Sequence, residues 1–383
     1  MVEIHDKKEC SGCGTCAAVC PKKCIEMLED KEGFLYPKVN INKCVKCDMC
    51  DKVCPFKNTY PTKVYKVYGF NSIDEMNRLR SSSGGFFSVI AGLIIAEKGI
   101  VFGVGMTADC RESCYYVAED MDGLKKLIGS KYIQVEAGKM FEHVKEQLET
   151  GRKVLYSGTP CAVNGLRRFL GNDYENLICV DVVCHGVPSK KIWMKHLEYV
   201  EKEKKIVNVS FRYKKDGWQN FSMGYICQDQ GKILVSKDRD FYMIMFLNNY
   251  SLRPSCYACR VKGNNTADIT MGDFWGGEDV IPDLYDGKGS SLVILRSEKG
   301  QKIFEAVKAA GKYKEVSYPD AVRHNTPEFK SVAKPKRRKE FYDDLNKVSY
   351  EKIIEKYCSI PFSVKLKDTI KSALRKKGIS GGN

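Results

Sequence analysis

Two cysteine runs carry the most specific chemistry in the chain. "CSGCGTCAAVCP" sets Cys10, Cys13, Cys16 and Cys20 ahead of Pro21, and "CVKCDMCDKVCP" repeats the spacing with Cys44, Cys47, Cys50 and Cys54 ahead of Pro55. In a C-x2-C-x2-C-x3-C-P run, a turn of small residues gathers three thiolates around one four-iron cluster and the fourth cysteine reaches the other cluster. One [4Fe-4S] cluster is therefore expected on Cys10, Cys13, Cys16 and Cys54, and a second on Cys44, Cys47, Cys50 and Cys20. A pair of zinc knuckles is the competing reading, which the Cys-Pro ending and the crossed repeat disfavour. Cys24 stands outside the repeat. A further pair, Cys256 and Cys259 in "SCYACR", is half of a metal site with no second pair nearby.

The two runs are those of bacterial two-cluster ferredoxins, which predicts such a module over residues 1–60 and a relay of single electrons. "TYPTKVYK" reads as the linker out of it. Beyond the linker, "KVYKVYGF" predicts a strand, "NSIDEMNRLRSSS" a loop, "GGFFSVIAGLIIAEKG" a buried helix ending at Gly99, and "IVFGVGM" a strand. Ser81, Ser82 and Ser83 precede Gly84 and Gly85 where that helix starts, a place whose free amides suit a pyrophosphate. Plain capping and close packing are the alternative.

A second strand, helix, strand unit follows. "RKVLYSGTP", "CAVNGLRRFLG" and the almost wholly apolar "NLICVDVVC" read as parallel-sheet strands around a short helix. Cys161 and Cys184 then fall just past the carboxyl ends of parallel strands, the edge at which open α/β sheets bind ligands. If those strands are neighbours, about 5 Å apart, the two thiols complete the site begun by Cys256 and Cys259. Four thiolates accept either zinc or a third [4Fe-4S] cluster, and the electron relay in the same chain favours iron-sulfur.

Composition bounds the rest. With 383 residues, 43% hydrophobic, the chain has room for two or three domains. No apolar run spans a bilayer and the N-terminus has no signal-peptide pattern, so a cytoplasmic protein is expected. In that compartment 18 cysteines point to metal or redox chemistry rather than disulfides. Residues 330–383 carry 15 Lys and Arg against 6 Asp and Glu, so +9 of the +15 net charge lies there.

"SSSGGFFS", "GSKYIQ", "YSGTPCAVNGLR", "DVVCHGVPS" and "CYACRVKGNNTADITMGDFWG", in this order behind a ferredoxin module, resemble the family of coenzyme F420 hydrogenase/dehydrogenase beta subunits over roughly residues 1–330. The resemblance implies an α+β protein in which the 2x[4Fe-4S] ferredoxin module precedes an α/β flavin- and iron-sulfur-binding catalytic domain. That domain divides into an N-terminal part, 64–148, and a C-terminal part with the third cluster, 149–330. It implies FAD, a cluster beside it on Cys161, Cys184, Cys256 and Cys259, and an oxidoreductase joining one-electron carriers to a two-electron substrate, coenzyme F420 or another small molecule. An electron-transfer subunit serving a separate catalytic partner is the alternative.

The same resemblance implies flavin contacts at Ser83, Gly84 and Gly85, then at Lys131 and Tyr132, and at Thr159 and Pro160 beside the cluster. Asp273 and Trp275 in "GDFWG" are candidates for the flavin pocket, although a tight turn packing a Trp explains them equally well. His185 is the candidate proton-transfer residue, with scaffolding as its other reading. The implied partners are a ferredoxin-like electron carrier and a small-molecule substrate. Nucleic acid is excluded, because no stacking motif accompanies the charge. The basic tail 331–383 is read as a solvated or helical extension. Phe362, Val364, Leu366, Ile370 and Leu374 would form an apolar stripe for peripheral contact with an anionic membrane.

Overall fold

A computed structural model of the chain describes residues 1–59, 61–215 and 217–359. In the N-terminal module, a hairpin of β1 (Ile25–Glu29) and β2 (Leu35–Val39) joins two one-turn helices, Thr15–Ala18 and Met49–Lys52. Each of these helices opens on a residue in the left-handed region, Gly14 at φ +80° and Asp48 at φ +59°. That geometry turns the cysteine run back on itself.

The main body is one mixed sheet. Its strands are β3 (Lys66–Ser72), β4 (Ile100–Met106), β5 (Ser113–Ala118), β6 (Val154–Gly158) and β7 (Leu177–Val182). A smaller antiparallel sheet of β8 (Ile206–Tyr213), β9 (Ser222–Cys227) and β10 (Lys232–Ser236) intervenes. The main sheet is completed by β11 (Ile269–Asp273), β12 (Ser291–Leu295) and β13 (Gly311–Val316), in the order β13-β3-β12-β11-β7-β6-β4-β5. The four central strands β11, β7, β6 and β4 are mutually parallel. Their carboxyl ends therefore share one edge.

Side chains alternate across this sheet with the period of two that a strand imposes. Val101, Leu155, Ile178 and Val180 meet the helices Phe86–Ala96 and Glu298–Val307 on one face. Ile100, Phe102, Val154, Tyr156 and Leu177 meet the helices Phe141–Glu149 and Pro160–Leu170 on the other. Each fully buried side chain of this kind contributes about 1.5–3 kcal/mol, so the sheet is a rigid support for whatever its edge carries.

A third core lies under the small sheet. It takes in Trp193, Phe211, Tyr225 and Tyr242, and also Phe34 from the module hairpin. The module is thereby packed into the body.

Two expectations change. "NSIDEMNRLRSSS" is not all loop: Asp74 caps a helix over Glu75–Arg80 by accepting from the Asn77 amide, and Arg78 of that helix reaches Asp286 and the carbonyl of Gly289. The first half of the basic tail is not solvated either. Helices Arg338–Leu345 and Tyr350–Tyr357 bury Phe341, Tyr342, Leu345 and Ile353 in the third core, and Arg338 pairs with Glu32 of the module. The high lysine content had hidden a narrow apolar face. The proposed membrane stripe, Phe362 to Leu374, lies outside the described residues.

Candidate redox site

The module brings its cysteines together in the crossed arrangement. Cys16 lies beside Cys13, Cys10 and Cys54, and partial burial together with the charges of those thiolates pushes its thiol upward. Cys20, Cys44, Cys47 and Cys50 line a separate small cavity. Cys24, left over in the sequence, lines that cavity too, with its sulfur 3.4 Å from that of Cys20.

The inner set of thiols is tied to the body. The Gly138 amide donates to the Cys13 carbonyl at 2.9 Å. Arg253, fully buried, donates Nε to the Cys10 carbonyl at 2.7 Å and a terminal nitrogen to the Leu35 carbonyl at 2.8 Å, with its guanidinium stacked on Tyr36 at 4.2 Å. Its other terminal nitrogen is buried without a partner in the protein and lies beside Gly12, inside the cysteine loop. An orphaned donor next to thiolates suits a sulfur-rich anionic group. Burial pushes the Cys10 thiol up and the Arg253 charge pulls it back.

At the sheet edge, β6 and β7 are adjacent and parallel, as the sequence required of Cys161 and Cys184. Cys161 stands in the first turn of the helix Pro160–Leu170 and Cys184 two residues after β7. Cys256 and Cys259 come from a 3-10 turn over Pro254–Ala258 and the residue after it. All four line one cavity of about 40 Å³. Burial, with the charges of the neighbouring thiolates, pushes Cys184 and Cys256 up to about 12, and Lys262 and the Val187 amide respectively moderate the two shifts. Thiols so placed stay protonated until a cation replaces their protons. Ser11 and Phe56 of the module line the same cavity. The inner thiols and the sheet-edge thiols are thus neighbours.

Beside it opens a cavity of about 450 Å³, within the range of cofactor sites. Cys184, His185, Gly186 and Val187 line both cavities. The large one also takes in Ser82, Ser83, Gly85, Lys131, Tyr132 and Thr159, together with Asp273 and Trp275. Gly85 opens the helix Phe86–Ala96 at φ +89°, and Gly85 to Ser88 line the cavity, with the Phe86 amide donating to the Ser291 hydroxyl at 3.5 Å.

Two of the expected contacts, Gly84 and Pro160, fall outside this cavity, and the others are held in different ways. Gly84 does not line the cavity; a Cβ there would sit 2.2 Å from the Phe70 carbonyl oxygen and 2.5 Å from the Ser291 amide, so its glycine serves close packing on the sheet. Pro160 lines the four-thiol cavity instead. The Ser83 hydroxyl is committed to the Ser290 carbonyl at 2.5 Å, whereas Ser82 accepts from the amide and hydroxyl of Ser130. Lys131 donates to the carbonyls of Lys126 and Ile128, and burial draws it down to about 7. Tyr132 stacks on Phe246 at 4.8 Å. Thr159 places its hydroxyl 3.3 Å from the Cys161 sulfur. His185 shares its Nε2 with Asn249 at 2.7 Å, and burial holds it below its ordinary 6.5.

Sequence reasoning missed Arg212. Its side chain is 4% exposed, bonds Asp273 at 2.7 Å and packs on Phe221 at 4.1 Å. Nε and one terminal nitrogen have no protein partner. Asp273 also accepts from the indole of Trp218, which stacks on Trp275 at 4.4 Å. Nothing in the alternation of β8 marks an arginine as turned inward. His324 was missed as well.

Residues 151–321 match the family described as the C terminus of the coenzyme F420 hydrogenase/dehydrogenase beta subunit, and residues 9–58 match the 4Fe-4S dicluster domain. The chain is 26% identical over 320 residues to a coenzyme F420-dependent sulfite reductase of Methanocaldococcus jannaschii, covering 80% of this chain and 47% of that protein. It therefore spans about half the length of that relative. It is 24% identical over 329 residues to one of the subunits of the F420H2 dehydrogenase of Methanosarcina mazei, covering 80% of this chain and 85% of that one. A chain of the F420-reducing [NiFe] hydrogenase complex of Methanosarcina barkeri superposes with a TM-score of 0.48 at 16% identity, over 78% of this chain and 94% of that chain. No helix among the described residues is long and apolar enough to cross a membrane.

Proposed function

We propose that this chain, whose residues 151–321 match the family described as the C terminus of the coenzyme F420 hydrogenase/dehydrogenase beta subunit, is an FAD- and iron-sulfur-dependent oxidoreductase. It passes electrons between a one-electron protein carrier and a two-electron small-molecule substrate such as coenzyme F420. The observation that carries this reading is the shared wall: Cys184 to Val187 line both the four-thiol cavity and the large one, so what either holds lies against the other.

Four half-buried thiols, Cys161, Cys184, Cys256 and Cys259, facing one cavity suit a third [4Fe-4S] cluster. Among the described residues no three His, Cys, Asp or Glu side chains gather closely enough for a single metal ion. The large cavity suits FAD because the helix start at Gly85, which lines it, and the orphaned donors of Arg212 offer places for its phosphates and polar ring edge.

When bound, the flavin supplies the exchange between one-electron and two-electron chemistry. The protein positions and insulates. Asp273 and the Phe221 face fix the Arg212 guanidinium, so its free edge keeps one orientation. Ser82 and Ser130 pin the start of the helix to the loop carrying Lys131. With Nε2 held by Asn249, His185 presents Nδ1 to take or return a proton, and its lowered pKa keeps it neutral near pH 7.

The match to a relative that is itself one part of a larger dehydrogenase, over 85% of that relative, favours a second reading in which this chain passes electrons to a catalytic partner. Size-exclusion of the native complex separates the two. The central test is anaerobic purification with iron, sulfide, zinc and flavin quantified. Three four-iron clusters give about twelve irons per chain, with one FAD; zinc, or eight irons without flavin, refutes the reading. Cys259→Ala should lose about a third of the iron.

A further inference from the structure

The two cysteine sets of the module are not equivalent in position. Ser11 and Phe56, which flank the inner set, reach the four-thiol cavity at the sheet edge, and the Cys161 thiol feels the charge of Cys13. The cavity of Cys20, Cys44, Cys47 and Cys50 shares no lining residue with either body cavity. It is the outer end of the chain of sites, and Cys47 at its mouth is exposed.

The surface around that mouth is unusual in two ways. Ile41, Val45 and Met49 are 68%, 56% and 40% exposed along one nine-residue segment. Large apolar side chains left in water together mark a surface that another molecule covers. Lys22, Lys23, Lys43 and Lys46 are also exposed, and among the described residues none has a carboxylate within 4 Å, while Lys7, Lys8 and Lys57 of the same module each hold one. The carboxylates closest in sequence to Lys43 and Lys46, Asp48 and Asp51, are engaged by the amine of Met1, and Asp51 by Lys57 as well. An apolar centre with an unneutralised basic rim complements a partner with an acidic rim.

We propose that this face docks an acidic one-electron carrier protein, with Ile41, Val45 and Met49 as the contact and the four lysines as the steering charge. The inference rests on the reading that the module holds clusters. In each encounter one electron crosses between the carrier and the outer site, one being oxidised as the other is reduced, with no bond made or broken and no proton required.

The test uses the full chain, purified anaerobically, and follows its reduction in stopped flow by an acidic two-cluster bacterial ferredoxin and, separately, by the methyl viologen radical cation. In the K22E/K23E/K43E/K46E variant, reduction by ferredoxin at low ionic strength should slow about tenfold or more, and high salt should abolish the difference. The viologen rate should change far less. I41S/V45S, which leaves the lysines in place, should slow ferredoxin at every salt concentration.

Equal slowing with both donors, faster reduction by a basic carrier protein than by ferredoxin, or unchanged ferredoxin rates in both variants would overturn the proposal. Iron content is measured first. Wild-type chain without module iron would overturn the cluster reading itself, which is a separate result from full iron with unaltered rates.

Discussion

In the module, three of each four thiols lie within seven residues of chain; at the sheet edge the four lie between Cys161 and Cys259, nearly a hundred residues apart. The first kind of site is shaped by local turns, with Gly14 and Asp48 in the left-handed region bending the chain. The second exists only because β6 and β7 pair and the turn at Pro254–Ala258 is brought over their ends. Local sites should survive damage to the sheet, and assembled sites should not. Yet the two are stitched together by Arg253 and Gly138, so the contrast has a seam at which it can be broken.

The largest effect is expected at Arg253. It stands three residues before Cys256 and holds the carbonyls of Cys10 and Leu35 from a position with no exposed surface. Arg253→Ala leaves two buried carbonyls unpaired and removes the cation whose charge moderates the Cys10 thiol, costing about 3–5 kcal/mol. Anaerobic denaturant unfolding should show that loss, and iron should fall at the inner module site and at the sheet edge while the outer site keeps its own. Arg253→Lys should recover little, since one ammonium cannot span both carbonyls. Loss confined to the module would mean that the assembled site does not depend on this bridge.

Gly138 sharpens the same boundary with a smaller push. A Cβ at this position would lie 2.5 Å from the Gly14 carbonyl oxygen, which is backbone and has nowhere to turn. Gly138→Ala should cost about 1–3 kcal/mol and weaken the seating of the module on the body. Limited proteolysis should then cut sooner between residues 59 and 65, with the body fragment retaining its fold.

How far the sequence disclosed these features follows the same division. The cysteine runs were legible because their ligand spacing is local, and the pairing of β6 with β7 because an unbroken apolar strand followed by a helix and another such strand belongs to a parallel sheet. Arg212 was not legible: its inward turn is decided by Asp273 and Phe221, 61 and nine residues away. The bond of the Ser83 hydroxyl was not legible either, because its acceptor, the Ser290 carbonyl beside β12, comes from 207 residues along the chain. The burial of the helices Arg338–Leu345 and Tyr350–Tyr357 was not legible because their charge outweighs a stripe that only the third core reveals. Cys24 carried no spacing signal, and its approach to Cys20 is a product of the turn.

A pH-dependent effect separates the sheet's own chemistry from that of its edge. Asp181, fully buried on β7, accepts from the Thr270 hydroxyl and from Asn265, and burial raises its carboxyl from 3.8 to about 7, with the Arg296 charge opposing. Between those values the unfolded chain has already released this proton and the folded chain has not. Folded stability therefore falls as pH rises from about 4 to about 7, by at most about 1.4 kcal/mol per pH unit from this group. Asp181→Asn keeps a side chain of the same shape without the proton to lose, so its unfolding midpoint should be flatter across that window. Above pH 7 the variant should match or exceed the wild type. Because Asp181 sits on the strand that delivers Cys184, a flattened profile with iron unchanged would show that the sheet can be retuned without disturbing the site it assembles. A parallel loss of iron would show instead that the register of β7 and β11 depends on this carboxyl.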